Sequence, residues 1–168
     1  MGERRFDVTV YLRVSKHTNR PKRQRARLRP SEAVDFLGQR TREAHFMNNI
    51  DVSVRTRYIE DQSNPAANQF VYTYTILIKN KGSQAAQLIS RHWYITDARE
   101  KVQEVQGLGV VGEQPTIAPG ESYSYSSGVV LATESGIMNG TYTLKNEDGS
   151  QFTAKIPAFS LVQPSALH

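Results

Sequence analysis

No cysteine occurs among the 168 residues. That excludes a disulfide framework and any Cys-based zinc site, and it argues for a reducing compartment, so a cytoplasmic protein is expected. No apolar run approaches the roughly 18–20 residues that a membrane helix needs, so no membrane association is expected. The opening Met1-Gly2-Glu3-Arg4-Arg5 leads into no apolar signal core, which argues against secretion. Histidine is sparse: His17, His45, His92 and His168 are scattered and share no metal-ligand spacing. No acidic loop has the spacing of a calcium site either, so neither metal nor cofactor is expected. Nothing pairs a nucleophile with a base. Ser122-Tyr123-Ser124-Tyr125-Ser126-Ser127 alternates like a strand and is no nucleophile elbow, and no enzyme is visible. Asn139-Gly140-Thr141 fits a glycosylation acceptor, but without a secretion signal it reads as a turn.

What is present is a lopsided distribution of charge. The net charge of +5 suggests a nucleic-acid binder until it is divided along the chain. Residues 1–46 hold 12 Lys+Arg against 5 Asp+Glu, a net +7; residues 47–168 hold 9 against 11, a net −2. The dense part, Arg20 to Pro30, repels itself and cannot bury a core. An arm of this kind binds nucleic acid through phosphates, and any nucleic-acid partner is expected there alone. The plainer reading, a solvated tail or a segment absent from the working protein, is preferred. Around the basic run, Phe6–Val14 reads as a short strand and Ser31–Ala44 as a short helix with Ser31 at its N-cap.

From Ile50 onward the pattern has period two. Ile50, Val52, Val54, Thr56 and Tyr58 share one face of a half-buried strand. Further strands are expected at Gln69–Lys79, Gln87–Thr96, Val102–Gln106, Glu121–Leu131, Thr141–Lys145 and Gln151–Ile156. A short piece, Phe159–Val162, is limited by Pro157 and Pro164. Turn chemistry separates them, notably Asn80-Lys81-Gly82-Ser83, Asp97 to Glu100 and Asn146-Glu147-Asp148-Gly149. Seven to eight short antiparallel strands at this spacing indicate an all-β, immunoglobulin-like sandwich.

Two segments stand out as candidate sites. Gly107-Leu108-Gly109-Val110-Val111-Gly112 spells G-x-G-x-x-G, which in a dinucleotide fold lets a helix N-terminus approach pyrophosphate. Here Glu113-Gln114-Pro115 and Pro119 follow, and prolines that close together preclude the helix. The string therefore reads as a permissive loop, Gly107 to Pro115, that binds a partner; its amides could alternatively nest an anion. The second segment is Arg91-His92-Trp93-Tyr94. Alternation puts Arg91 and Trp93 on one face and His92 and Tyr94 on the other, with Ile89 beside the first pair and Leu88 beside the second. Trp93 reads as the core tryptophan of the sandwich; Arg91 and His92 are candidate surface residues.

The strings Asn80 with Gly82, Leu88–Thr96 (LISRHWYIT), Gly107–Pro115 (GLGVVGEQP), Pro119-Gly120-Glu121, Tyr125-Ser126-Ser127-Gly128, Gly136–Tyr142 and Ile156-Pro157-Ala158-Phe159 occur in the order of a known family. Residues 47–168 resemble the bacterial ApaG (CorD) family over essentially their full length. The resemblance implies a fibronectin-III/immunoglobulin-like sandwich without established enzymatic activity. It also implies an association with cobalt resistance and magnesium efflux, and gene neighbours that include a diadenosine tetraphosphate hydrolase and an rRNA methyltransferase. Similar domains in eukaryotic F-box proteins and a DNA-polymerase-delta-interacting protein are regarded as interaction modules. The expected organisation is a basic extension, 1–46, before the domain, 47–168, with the native protein beginning at Met47. The expected function is a non-enzymatic interaction domain with a protein partner. The alternative is a regulator that responds to a nucleotide polyphosphate or a divalent cation at the glycine loop.

Overall fold

The computed structural model describes residues 17–18 and 48–164. The strand expected at Phe6–Val14 and the helix expected at Ser31–Ala44 lie outside the described residues. The described chain is a sandwich of two antiparallel sheets. The first has the order β1 (His17–Thr18), β7 (Ser122–Leu131), β3 (Phe70–Asn80), β2 (Ile50–Tyr58). The second has the order β5 (Val102–Leu108), β4 (Ala86–Asp97), β8 (Ser135–Asn146), β9 (Gln151–Val162), with β6 (Thr116–Ile117) also pairing β4. This is the all-β, immunoglobulin-like architecture that the strand spacing implies. Its helical content among the described residues is two 3-10 turns, Glu60–Gln62 and Pro65–Ala67.

Alternation fills the core from both sheets. Tyr72, Tyr74, Ile76 and Ile78 of β3 and Tyr125, Val129 and Leu131 of β7 face Leu88, Trp93 and Ile95 of β4 and Met138, Tyr142 and Leu144 of β8. Trp93 is 2% exposed, as a core tryptophan should be. Its ring meets Tyr74, Tyr142 and Phe159 edge-on at 5.6, 6.4 and 5.9 Å, the geometry that aromatic quadrupoles favour. Asn80 ends β3 as a buried knot. Its Nδ2 donates to the carbonyls of Gln84 (2.7 Å) and Ile117 (2.9 Å), and its Oδ1 accepts from the Gly82 amide (2.9 Å).

Two bulges correct the expected alternation and strand lengths. In β4 the register slips between Leu88 and Ser90, leaving Ile89 as the extra residue. Leu88 and Trp93, five positions apart, are therefore both buried, and Leu88 does not share the half-buried outer face of Ser90, His92 and Tyr94. In the other, Pro157 and Ala158 of β9 oppose the single Asn139 of β8. The two pieces expected at 151–156 and 159–162 are thus one strand. Pro157 is tolerated because β9 is the edge strand and the bulge needs no amide there. The strand expected at Thr141–Lys145 begins instead at Ser135. Gly136, Asn139 and Gly140 are poor strand formers, but β8 lies between β4 and β9, and pairing on both sides overrides propensity.

Candidate functional site

The glycine string lies where β4 bulges. β5 runs antiparallel to β4 as far as Leu108, opposite Ser90; β6 pairs with Ala86 and Gln87. Residues 109–115 fill the gap along the edge between them. The Ile89 carbonyl, freed by the bulge, accepts from the Gly109 amide (2.8 Å) and from Gln114 Nε2 (2.9 Å). The Leu88 amide donates to the Pro115 carbonyl (2.9 Å). Between these anchors Val110 and Glu113 exchange both backbone hydrogen bonds, at 2.8 and 3.0 Å. The two residues between them, Val111 and Gly112, have φ of 51° and 74°. Two positive φ values in succession define a type I′ hairpin turn. Gly112 accepts that conformation without strain, whereas a β-branched valine is held there against a preference of about 1–2 kcal/mol. Val111 is half-buried and packs on the core, beside Val110, which is fully buried.

Side chains clamp this turn to both sheets. Arg91 projects toward the interior side of the second sheet, and its Nη1 donates to the carbonyls of Leu108 (3.2 Å) and Gly109 (2.7 Å). Gly107 makes room for it: a Cβ there would stand 2.9 Å from Nη1. Gly109 must be glycine for a second reason, since its φ is 60° and a Cβ would meet the Glu113 carbonyl oxygen at 2.1 Å. From the first sheet Tyr123 OH donates to Glu113 Oε2 at 3.2 Å. The resulting outward surface is narrow: Leu108, 75% exposed, with the exposed Gly112 and Gln114.

The sequence candidates thus divide. Gly107, Gly109, Val110, Val111, Gly112, Glu113, Gln114 and Pro115 do form one compact loop, and Arg91 belongs to its support. His92 does not. It lies on the outer face of the second sheet, stacked on Tyr94 with ring centroids 4.5 Å apart, and its Nε2 is 3.0 Å from Glu104 Oε2 and 3.2 Å from Gln106 Nε2. The amides of Gly109, Val110 and Glu113 bond within the chain. Three of the donors that an anion nest would use are therefore engaged. Tyr123 and the Ile89 carbonyl had no signal in the sequence, because one comes from the facing sheet and the other from a bulge.

Behind Arg91 lies a group of buried phenols. Tyr125 and Tyr142 join hydroxyl to hydroxyl across the sheets. Burial pushes the Tyr74, Tyr125 and Tyr142 phenols above their ordinary range, and the nearby Arg91 guanidinium partly counters it. Burial likewise raises Tyr72 and Tyr123 to about 12, Tyr123 with help from the Glu113 carboxylate. A phenol raised above its unfolded value near 10 stabilises the fold fully below that pH and loses its contribution as pH rises through the folded value. Phenolate absorbance is therefore expected to show a cooperative step above about pH 10, coincident with loss of circular dichroism. Smooth ionisation of every tyrosine in the folded protein would contradict this.

Known proteins match the same span. The ApaG domain model matches residues 60–146. Protein ApaG of Thiobacillus denitrificans is 57% identical over 119 residues, 71% of this chain and 94% of that one. Protein ApaG of Ectopseudomonas mendocina is 56% identical over the same proportions. A crystal structure of an ApaA protein from Bordetella pertussis superposes with a TM-score of 0.68 at 51% identity, covering 70% of this chain and 95% of that one.

Proposed function

The chain belongs to the ApaG domain family, and on that premise we propose that it is a non-enzymatic interaction domain of the cytoplasm whose loop, Gly107 to Pro115, docks a protein partner. The observation that carries this reading is the construction of the loop. Bonds from Ile89, Arg91 and Tyr123 hold a strained type I′ turn in one shape, and its largest outward side chain is apolar. A preorganised surface loses little conformational entropy on binding, and an exposed leucine at its base supplies the apolar contact that affinity needs. The cobalt-resistance and magnesium-efflux phenotypes that the family resemblance implies would then arise through the partner rather than through a metal held here.

The test uses the full chain as bait in lysate of the source organism. One variant carries Leu108→Asp with Gln114→Lys, both at exposed positions. A second carries Val102→Asp with Ile137→Asp, 56% and 51% exposed on the outer face of the second sheet, where both flank Thr96. A partner lost at least tenfold with the first variant and kept with the second is expected. Loss with the second alone would move the site to the sheet face. Absence of any stoichiometric partner would remove the interaction reading.

A further inference from the structure

Residues 47–168 carry a net −2, yet the outer face of the first sheet is basic. Along β2 that face presents Asp51, Ser53, Arg55 and Arg57. Asp51 is held by Lys81 at 2.7 Å, with Lys79 adding to the attraction. Arg55 and Arg57 make no ion pair among the described residues. The register sets Thr75 of β3 and Ser126 of β7 beside Arg55, and Thr73 and Gly128 beside Arg57. At the Arg57 end the face is not flat. The 3-10 turn Glu60–Gln62 follows β2 directly, and the Ile59 amide donates to the Val71 carbonyl (2.9 Å), which holds the turn against β3. Between the turn and Gly128 a groove of about 330 Å³ opens. Ile59 and Val71 give it apolar atoms; Arg57, Gln62, Thr73 and Ser126 give it polar ones. That size is at the lower end of the roughly 300–1,000 Å³ of ligand clefts, room for one ring and a head group.

We propose that this groove binds a small organic anion, an oxyanion head on an apolar body about one ring in size. The lining holds no carboxylate. Glu60 and Asp61 line a separate depression that shares Arg57, and neither pairs with its guanidinium. The unpaired fork of Arg57 matches the two oxygens of a carboxylate or a phosphate monoester. Hydroxyl donors stand beside it. Ser126 Oγ lies 2.7 Å from Thr75 Oγ1, and one hydroxyl of such a pair donates to the other, so one proton stays free for an outside acceptor. Thr73 Oγ1 supplies a further donor on the Arg57 row. Arg55, on the same face, adds a second positive charge two residues along β2, about 7 Å away. The apolar body rests on Ile59 and Val71. Gly128 alternates outward between Ser126 and Val130, and its missing side chain leaves the ring room to approach the backbone. The site stands on the first sheet and uses no residue of the glycine loop.

Amide chemical shifts of the full chain test this, with phenyl phosphate and benzoate as probes. Saturable shifts at residues 57–62, 71–73 and 126–128 are expected, and the tighter probe identifies the head group. Phenol keeps the ring without the charge, and inorganic phosphate keeps the charge without the ring; each is expected to bind about tenfold more weakly or worse. Arg57→Gln is expected to weaken the tighter probe by about tenfold or more, and Thr73→Val to weaken it less. Arg57 is exposed and Thr73 half-buried, and unchanged circular dichroism checks that both variants fold. Lys155→Gln, an equal loss of charge at an exposed position of the second sheet, is expected to change nothing. Shifts that do not saturate, or that centre on Gly107 to Pro115, would overturn the proposal. Inorganic phosphate binding as tightly as phenyl phosphate would mean an adventitious ion only. Equal weakening by Arg57→Gln and Lys155→Gln would mean unspecific attraction to the whole protein. Either result removes the site.

Discussion

Replacing Gly140 with alanine is expected to destabilise the domain by about 3 kcal/mol or more, a large fraction of the 5–15 kcal/mol typical of a domain. The added methyl would stand 2.1 Å from the His92 carbonyl oxygen and 3.2 Å from Trp93 Cε3. Neither neighbour can retreat. The carbonyl belongs to β4, which pairs with β8 on one side and β5 on the other, and Trp93 is enclosed by three aromatic rings. Gly140 itself is held on its far side by Ile156 of β9, next to the bulge. Gly149→Ala provides the comparison. There φ is 85° and nothing lies within 4 Å of the new methyl, so only conformational strain of about 1–2 kcal/mol is expected. Urea unfolding of the two variants separates contact from strain; equal losses would show that the close approach of β4 to β8 relaxes.

The contrast between these glycines marks what the sequence could and could not convey. Period-two alternation places five of the seven long strands to within three residues, because a strand with one buried face must write that face into its pattern; the sixth, β9, is split in two at its proline bulge. β8 was cut short where glycine and asparagine erase the pattern, since its stability comes from partners distant in sequence. Asn139-Gly140-Thr141 reads as a turn until pairing on both sides is seen. The loop was legible as a loop, because prolines after the glycine string exclude a helix. Its inner structure was not. Alternation cannot announce the bulge at Ile89, and the bulge is what turns a backbone carbonyl toward Gly109 and Gln114. Val110 likewise reads as part of a recognition loop, yet it is buried in the core, and the residue at the base that meets solvent is Leu108.

Arg91 is where these two levels meet, and its removal is the other change expected to have a large effect. Arg91→Met keeps most of the apolar stem and deletes the donor to the Leu108 and Gly109 carbonyls. Hydrogen bonds from a charged donor contribute about 1.5–3 kcal/mol each, so a loss of roughly 2–4 kcal/mol is expected for this half-buried pair. The loss should be local before it is global. Amide exchange at Val111 to Gln114 is expected to quicken, while the central strands β3 and β8 keep their protection at moderate temperature. Gly107 sharpens the test. Gly107→Ala forces a methyl to within 2.9 Å of the guanidinium in the native protein, but that contact vanishes once Arg91 is methionine. The two substitutions together should therefore cost less than their sum, a coupling that a double-mutant cycle measures. Strict additivity would mean that Gly107 is needed for its backbone alone. Unchanged exchange in the Arg91→Met loop would assign its rigidity to Ile89 and Tyr123. If the loop is the docking surface, the same variant should also weaken partner capture, because a turn released from one shape must be reordered in the complex.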